Sequence, residues 1–404
     1  MTIYKIRIFL ILTTIVTYFI GCTSSQYIVD QTNSLDEASE IAEPNIDISL
    51  PERIAFILPL TQNLQAANAI VYGFLSNYFN YEYSSDVQIY IFDSTNSIEE
   101  INDEIEALNI DFIVGPLLRE NVNTAVQLSP SIRSLHLNYP SIEPTNNNSY
   151  FLGLRPEDEI NTIINYALSS EIKNIITFTP SNEYGQRIEI ALNNASLTSN
   201  IDRLNSINYE PGASNHLTTI NDAFLINESN ARRTRLTNNL GTTLNFNARR
   251  RQDIDAIFAF GTSESLSILI PQIRFSFANN INIFSLSEVN TNSTLDMPSN
   301  DFDRVIFSDS PYFLNLNNYT INNGDIFSES DKFNASSSLN IQRLFAFGKD
   351  IFNIIGLLNI DYFNIYKSYN GYIGEIELIE NNYFLRKTSL IQFYGNNLVE
   401  VETL

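Results

Sequence analysis

The sequence predicts an α/β fold in two lobes, each a mostly parallel sheet flanked by helices. Three observations carry this. Short continuous apolar runs alternate with segments of helical period, the pattern of βαβ units around a parallel sheet. The pattern begins at Arg53 and begins again after Gly153. A third segment follows that can return to both halves.

The elements come in order. Arg53-Ile54-Ala55-Phe56-Ile57-Leu58 reads as a buried strand ending at Pro59-Leu60-Thr61. A helix follows, with Ala67, Ile70, Val71, Phe74, Leu75 and Tyr78 on one face. Val87–Phe92 is the next strand, closing at Asp93-Ser94, and Ile98, Ile101, Ile105 and Leu108 stripe the next helix. Asp111–Val114 is a strand that ends in Gly115-Pro116; Ser134–Leu137 and Tyr150–Leu152 are shorter ones. In the second half, Pro156-Glu157-Asp158-Glu159 opens a helix with acids suited to its first turn. Strands are expected at 174–178, 254–260 and 281–286, with helices between them and helical pieces near 216–226 and 229–240. The third segment offers a strand at 304–307, an Asn-rich polar loop near 315–338 and a long helix near 339–358. From Gly371 to Val401 the alternation is that of antiparallel strands, with turns at Gly374 and Asn396. The expected lobes are 53–152 plus 303–360, and 153–302 plus 361–404.

Ahead of the fold, Lys5 and Arg7 form a positive region before a short apolar run, Ile8 to Ile20. That run is too short to span a bilayer comfortably and reads as a signal peptide, residues 1–21. It ends Phe19-Ile20-Gly21-Cys22, which resembles a bacterial lipobox. The resemblance implies that Cys22, the chain's single cysteine, is acylated and becomes the mature N-terminus. Thr23 stands where an Asp favours inner-membrane retention, so the resemblance extends to an outer-membrane address, with the protein facing the periplasm. Residues 22–52 are polar and acidic and read as a flexible tether with an r.m.s. span of roughly 30 Å.

Composition excludes several functions. Formal net charge is -23, with 23 basic against 46 acidic residues, so a basic footprint for nucleic acid is lacking. A single cysteine and two separated histidines, His136 and His216, rule out a multi-ligand His/Cys metal site. His136 falls in an apolar strand and reads as a core residue; His216 precedes or caps a helix. No Gly-rich phosphate loop follows the first strand. Carboxylate pairs such as Glu99 with Glu100 are expected to be solvated surface. The chain reads as a non-enzyme without cofactors.

One stretch stands out. Arg249-Arg250-Arg251-Gln252-Asp253-Ile254-Asp255 runs into the apolar strand Ala256–Phe260. With Arg232, Arg233 and Arg235, the region holds six of the chain's 23 basic residues. Such clustering needs acidic partners, inside the fold or outside it. Asp253 and Asp255 are the natural internal partners; a docking surface for a partner is the external reading. A cleft between the lobes, beyond the carboxyl ends of the strands, would be lined by Thr61, Asp93, Gly115, Pro116, Ser181 and Tyr184.

Two lobes with crossing connections resemble the type I periplasmic binding proteins. Several stretches together resemble one family more narrowly, the LppC/LpoA penicillin-binding protein activators of Gram-negative bacteria. They are Ile54–Leu60, Phe112–Leu117, Phe151–Glu159, Arg249–Phe258, Asp309-Ser310-Pro311-Tyr312-Phe313-Leu314 and Arg343-Leu344-Phe345-Ala346-Phe347-Gly348. The resemblance covers about residues 53–401. It implies an outer-membrane lipoprotein that docks on a class A bifunctional penicillin-binding protein and stimulates peptidoglycan crosslinking. The best-known members carry a helical repeat domain before this one, where here only the tether is expected. The competing expectation is a solute-binding lipoprotein that captures a small polar ligand, such as an amino acid, between the lobes.

Overall fold

The computed structural model describes residues 48–80, 87–126, 131–141, 144, 147–197, 199–243, 245–291, 301–314, 337–395 and 397–401. Cys22, the expected leader, most of the expected tether, the stretch 315–336 and the turn residue Asn396 lie outside them.

The first apolar run forms β1 (Arg53–Leu58), buried from its second residue onward because it has strands on both sides. It pairs in parallel with β2 (Gln88–Asp93) and β3 (Phe112–Val114), so Phe56 lies between Ile91 and Val114. With β4 (Arg133–His136) and β5 (Ser149–Phe151) the sheet order is β2-β1-β3-β4-β5, all parallel. The crossovers are α1 (Leu64–Asn80), α2 (Ile98–Ala107) and α3 (Arg119–Ala125). Ser97 caps α2 by accepting from the Glu100 amide, and Glu99 and Glu100 complement the helix start.

The second lobe opens with α4 (Pro156–Ser169), β6 (Asn174–Pro180), α5 (Glu183–Leu197) and β7 (Asp202–Tyr209). Then come α6 (Leu217–Ala223), α7 (Ile226–Leu240), β8 (Ala256–Ala259), α8 (Ser263–Ile273), β9 (Asn282–Leu286) and β10 (Val305–Asp309). Alternate strand residues feed opposite faces: Ile257 packs with Phe178 and Leu266 on one side, Phe258 with Ile160 and Phe284 on the other. The long helix α9 (Leu339–Asn359) returns to the first lobe and packs along α1. A small antiparallel sheet of β11 (Ser368–Asn370), β12 (Glu375–Leu378) and β13 (Phe384–Lys387) follows. Finally β14 (Ser389–Tyr394) and β15 (Asn397–Glu400) complete the second sheet, whose order is β15-β14-β10-β9-β8-β6-β7. The strands β7, β6, β8, β9 and β10 pair in parallel, and β14 pairs antiparallel with both β10 and β15, the alternation expected for the C-terminal segment.

Two expected boundaries are corrected. Residues 303–360 do not all belong to the first lobe: β10 lies in the second sheet, between β9 and β14. A short run buried on both faces carries no mark of which sheet it will join, and β10 is buried at all five positions. The tether does not extend to residue 52 either. Ile48 and Leu50 are buried, and Ile48 lies against Gly356 of α9. Two apolar residues in a polar stretch gain by leaving water for that seat.

The tightest packing in the first lobe is the α1–α9 crossing. Gly73 and Gly348 meet there; a Cβ on either would run into a backbone carbonyl of the other helix, that of Phe345 or of Ile70. Asn77 and Lys349 lock the same contact. The Asn77 side chain donates to the Lys349 carbonyl at 3.0 Å, and Lys349 Nζ donates back to Asn77 Oδ1 at 3.1 Å.

Candidate functional site: a buried ionic junction between the lobes

Where the chain passes between lobes, charged side chains converge in the interior. Arg343 enters from α9 and Asp309 from the end of β10. Arg343 Nε donates to Asp309 Oδ1 at 2.9 Å and Nη2 to Oδ2 at 2.6 Å, a bidentate pair with both residues buried. The same guanidinium reaches the Ser287 and Asn290 carbonyls at 2.9 and 3.0 Å and Asn340 Oδ1 at 2.6 Å. Asp309 also accepts from the Asn290 side chain and the Ser310 amide. Every ion thus has its partners, which a buried ion requires.

The start of α4 supplies a second pair. Glu159 accepts from Arg386 of β13 at 3.1 Å and from the Ser287 amide and hydroxyl at 2.9 and 3.0 Å. Burial raises the Glu159 carboxyl above its ordinary range, opposed by the Arg386 charge. Arg155 holds Asp158 bidentately at 3.2 and 2.6 Å and stacks on the Tyr139 ring at 3.7 Å. Glu157, more exposed, pairs with Arg187 at 2.7 and 2.8 Å. Beside these, the hydroxyls of Thr162, Thr388 and Ser308 form a buried chain. Asp350 of α9 accepts from the Tyr372 and Ile373 amides at 2.9 and 2.7 Å; full burial pushes its carboxyl up to about 7.

The expected cleft residues do not assemble into one site. Thr61 donates from its amide (3.0 Å) and its hydroxyl to Asp93, which also takes the Thr95 amide at 3.1 Å. The Gly115–Pro116 bond is cis, and the Gly115 carbonyl is taken by His136 at 2.8 Å. Ser181 donates to Glu210 at 2.7 Å. These bonds stay within their own lobes. Tyr184 is different: its hydroxyl is buried without a hydrogen-bond partner among the described residues, and burial, then the nearby Glu159 and Glu288 charges, raise it well above the ordinary tyrosine range. A cavity of about 780 Å³ lies elsewhere, between α4, β14 and the small sheet, and a second of about 310 Å³ lies between α4 and β12–β13. None of the six expected residues lines either one.

The arginine motif divides. Arg251 pairs bidentately with Asp253, both distances 2.7 Å. Arg250 is half-buried and donates to the Phe277 carbonyl at 2.9 Å and the Arg251 carbonyl at 2.7 Å. Asp255 is not an arginine partner as expected. It accepts the Lys173 and Asn174 amides at 3.0 and 2.8 Å and so anchors the start of β6. Arg249 is exposed, and its amide donates to Ser229 at 3.2 Å.

His136 is a buried core residue with both ring nitrogens hydrogen-bonded. Its Nδ1 donates to the Gly115 carbonyl, so Nε2 is the acceptor facing Ser134 and Ser149 hydroxyls at 3.1 and 3.3 Å, and Phe151 stacks on the ring. Burial lowers its pKa from 6.5 to about 4. Between those values the unfolded chain binds a proton that the folded chain refuses, so stability falls as pH falls through that window, by about 3 kcal/mol at most. Asp350 acts with the opposite sign over nearly the same range, so the test is a difference. Denaturant unfolding of wild type and His136→Gln should show the wild type losing more stability between pH 7 and 4.5; parallel profiles would remove this account. His216 is buried at the N-cap of α6, its amide bound to Gln272, and burial lowers its pKa.

Two residues of the junction carry a signal in the sequence. Asp309 and Arg343 are charges set at the end of, or within, strongly apolar segments. Glu159 and Arg386 lacked even that contrast.

A family model described as "LppC putative lipoprotein" matches residues 41–393. The chain belongs to the LppC family. Among curated proteins it resembles "Penicillin-binding protein activator LpoA" of Vibrio antiquarius, 26% identical over 328 residues, which is 78% of this chain and 52% of the relative. The protein of the same name from Aliivibrio fischeri is 26% identical over 358 residues, 85% of this chain and 57% of the relative. The chain therefore spans a little over half the length of these relatives. Among solved structures, full-length LpoA of Haemophilus influenzae superposes with a TM-score of 0.65 at 21% identity, covering 88% of this chain and 60% of that one. The LpoA C-domain from the same organism, described as a regulator of PBP1A, gives 0.63 at 20%, covering 87% of this chain and all of that domain. A "putative branched-chain amino acid ABC transporter" from Chromobacterium violaceum gives 0.60 at 17%, covering 85% and 100%. The LppC chain thus has the periplasmic-binding-protein-like fold. Among its described residues no helix is long and apolar enough to cross a membrane.

Proposed function

We propose that this LppC-family chain is a non-enzymatic lipoprotein, held at the outer membrane through acylated Cys22 and facing the periplasm, that binds a class A bifunctional penicillin-binding protein and promotes its peptidoglycan crosslinking. The observation that carries the reading is the family match over residues 41–393 together with relatives named penicillin-binding protein activators. The geometry supports it. The interior between the lobes is occupied by paired ions, and Thr61, Asp93 and Ser181, expected to greet a solute, are bonded within their own lobes, while Tyr184 alone of that set keeps a buried hydroxyl without a partner among the described residues. The activator does no chemistry on the substrate. It binds the active form of the synthase more tightly than the inactive one and shifts the population by that difference.

The test uses the full chain in detergent with the class A penicillin-binding protein of its own organism. Saturable binding at or below about 10 μM, with faster crosslinking at saturation, is the expected result. A folded sample that neither binds nor alters crosslinking at tens of micromolar overturns the reading and turns attention to solute capture.

A further inference from the structure

The six clustered arginines do not share one fate. Arg250 and Arg251 are used internally, and Arg233 sits over the Phe246 ring at 5.7 Å. Arg232, Arg235 and Arg249 are exposed, and among the described residues none has a carboxylate within ion-pair distance. That is unexpected in a chain with twice as many acids as bases. Glu228 is one helical turn before Arg232, in the favourable order for a pair, yet no ion pair forms.

Exposed apolar groups lie on α7 and on the turn that Arg250 binds. Leu236, one turn beyond Arg232 on α7, is 52% exposed. Residues 274–278 form a turn that carries Phe275 and Phe277 outward, 77% and 55% exposed. Phe277 has a φ of 68°, in the left-handed region that a bulky residue rarely adopts. The turn is held in that form by the Arg250 bond to the Phe277 carbonyl and by the Ser276 hydroxyl donating to Asn221 of α6 at 3.3 Å. The same 249–251 strip is tied to α7 through the buried Ser229, so the strip is bonded both to the turn and to the helix. Strain spent on displaying two aromatic rings beside unpaired arginines is a feature of recognition surfaces.

We propose that this face, formed by Arg232, Arg235, Leu236, Arg249, Phe275 and Phe277, receives an acidic, aromatic- or aliphatic-bearing segment of the penicillin-binding protein. The inference rests on the activator reading above. Charge complementarity selects the occupant: carboxylates supply what the arginines lack, and the exposed rings and Leu236 need apolar cover. A protein segment fits better than an anionic bilayer, because the remaining surface of a chain of net charge -23 would face that bilayer with repulsion.

The experiment measures binding of the full chain in detergent to the synthase, with melting temperature as the check on folding. Arg232→Glu/Arg235→Glu should weaken binding about tenfold or more and flatten its salt dependence. Phe275→Ser should weaken it by a comparable factor with the salt dependence kept. Lys173→Glu/Lys367→Glu makes the same change in net charge at exposed sites elsewhere and should leave affinity within about twofold. The neutral pair Arg232→Gln/Arg235→Gln repeats the test should the reversal disturb α7. Wild-type affinity in the folded double reversal overturns the surface alone, and so does loss of adhesion to phosphatidylglycerol vesicles with synthase binding intact. Failure of the wild type to bind overturns the activator reading, and this surface falls with it.

Discussion

Replacing Arg343 with Met should lower the unfolding free energy by about 3–5 kcal/mol. The size follows from what is left behind. Asp309 is 1% exposed and takes two bonds from Arg343. Without the guanidinium it keeps only the Asn290 side chain and Ser310 amide, too little for a carboxylate far from water. The Ser287 and Asn290 carbonyls lose a donor as well. Asp309→Leu alone should cost a similar amount, for the mirror reason. The double variant Asp309→Leu/Arg343→Met should recover most of the loss, because an apolar pair of similar volume removes the desolvation penalty along with the attraction. Chemical denaturation of the four proteins gives the cycle. Additive losses in the double variant would mean that the two residues are not a coupled pair.

Gly348→Ala should cost about 3 kcal/mol or more, although alanine is the better helix former by about 1 kcal/mol. The added methyl meets the Ile70 carbonyl, part of a helix backbone and unable to rotate away. Helices α1 and α9 would have to separate, and the Asn77–Lys349 bonds and the contacts of Phe74 with Phe352 would go with them. Gly73→Ala meets the Phe345 carbonyl and should behave alike. Melting temperatures of the two variants check this; a rise in either would show that the crossing has slack.

The parts of this fold that were readable in the sequence are those set by local periodicity. Ile54–Leu58 is apolar at every position and is a central strand; α2 shows its buried stripe at Ile101 and Ile105. What could not be read depends on partners far along the chain. Nothing in Val305–Asp309 says that it pairs with β9 and β14 and not with the first sheet. Asp255 stands two residues from Asp253, and proximity in sequence suggested the same arginine partner; the backbone turns its carboxylate instead toward amides 81 and 82 residues away. The candidate cleft failed for a related reason. Thr61 and Asp93 are each exposed to view as single polar residues, and only the register of β1 with β2 reveals that they satisfy each other. The ionic junction needed four segments brought together, from α4, β10, α9 and β13, and no spacing along the chain encodes that meeting.

The return of α9 to α1 also constrains the order in which the protein can be made. The contacts between Asn77 and Lys349 span 272 residues, and the second sheet closes only with strands near the C-terminus. A chain emerging N-terminus first cannot finish its first lobe and then its second, as independent domains do. Phe74 can meet Phe56 of β1 early, but the side of α1 that carries Gly73 and faces α9 waits until more than three hundred residues have appeared. Closure of so long a loop is slow, and an open apolar helix face is what holdase chaperones retain. Such a topology favours a single late folding event, in which both lobes are completed together.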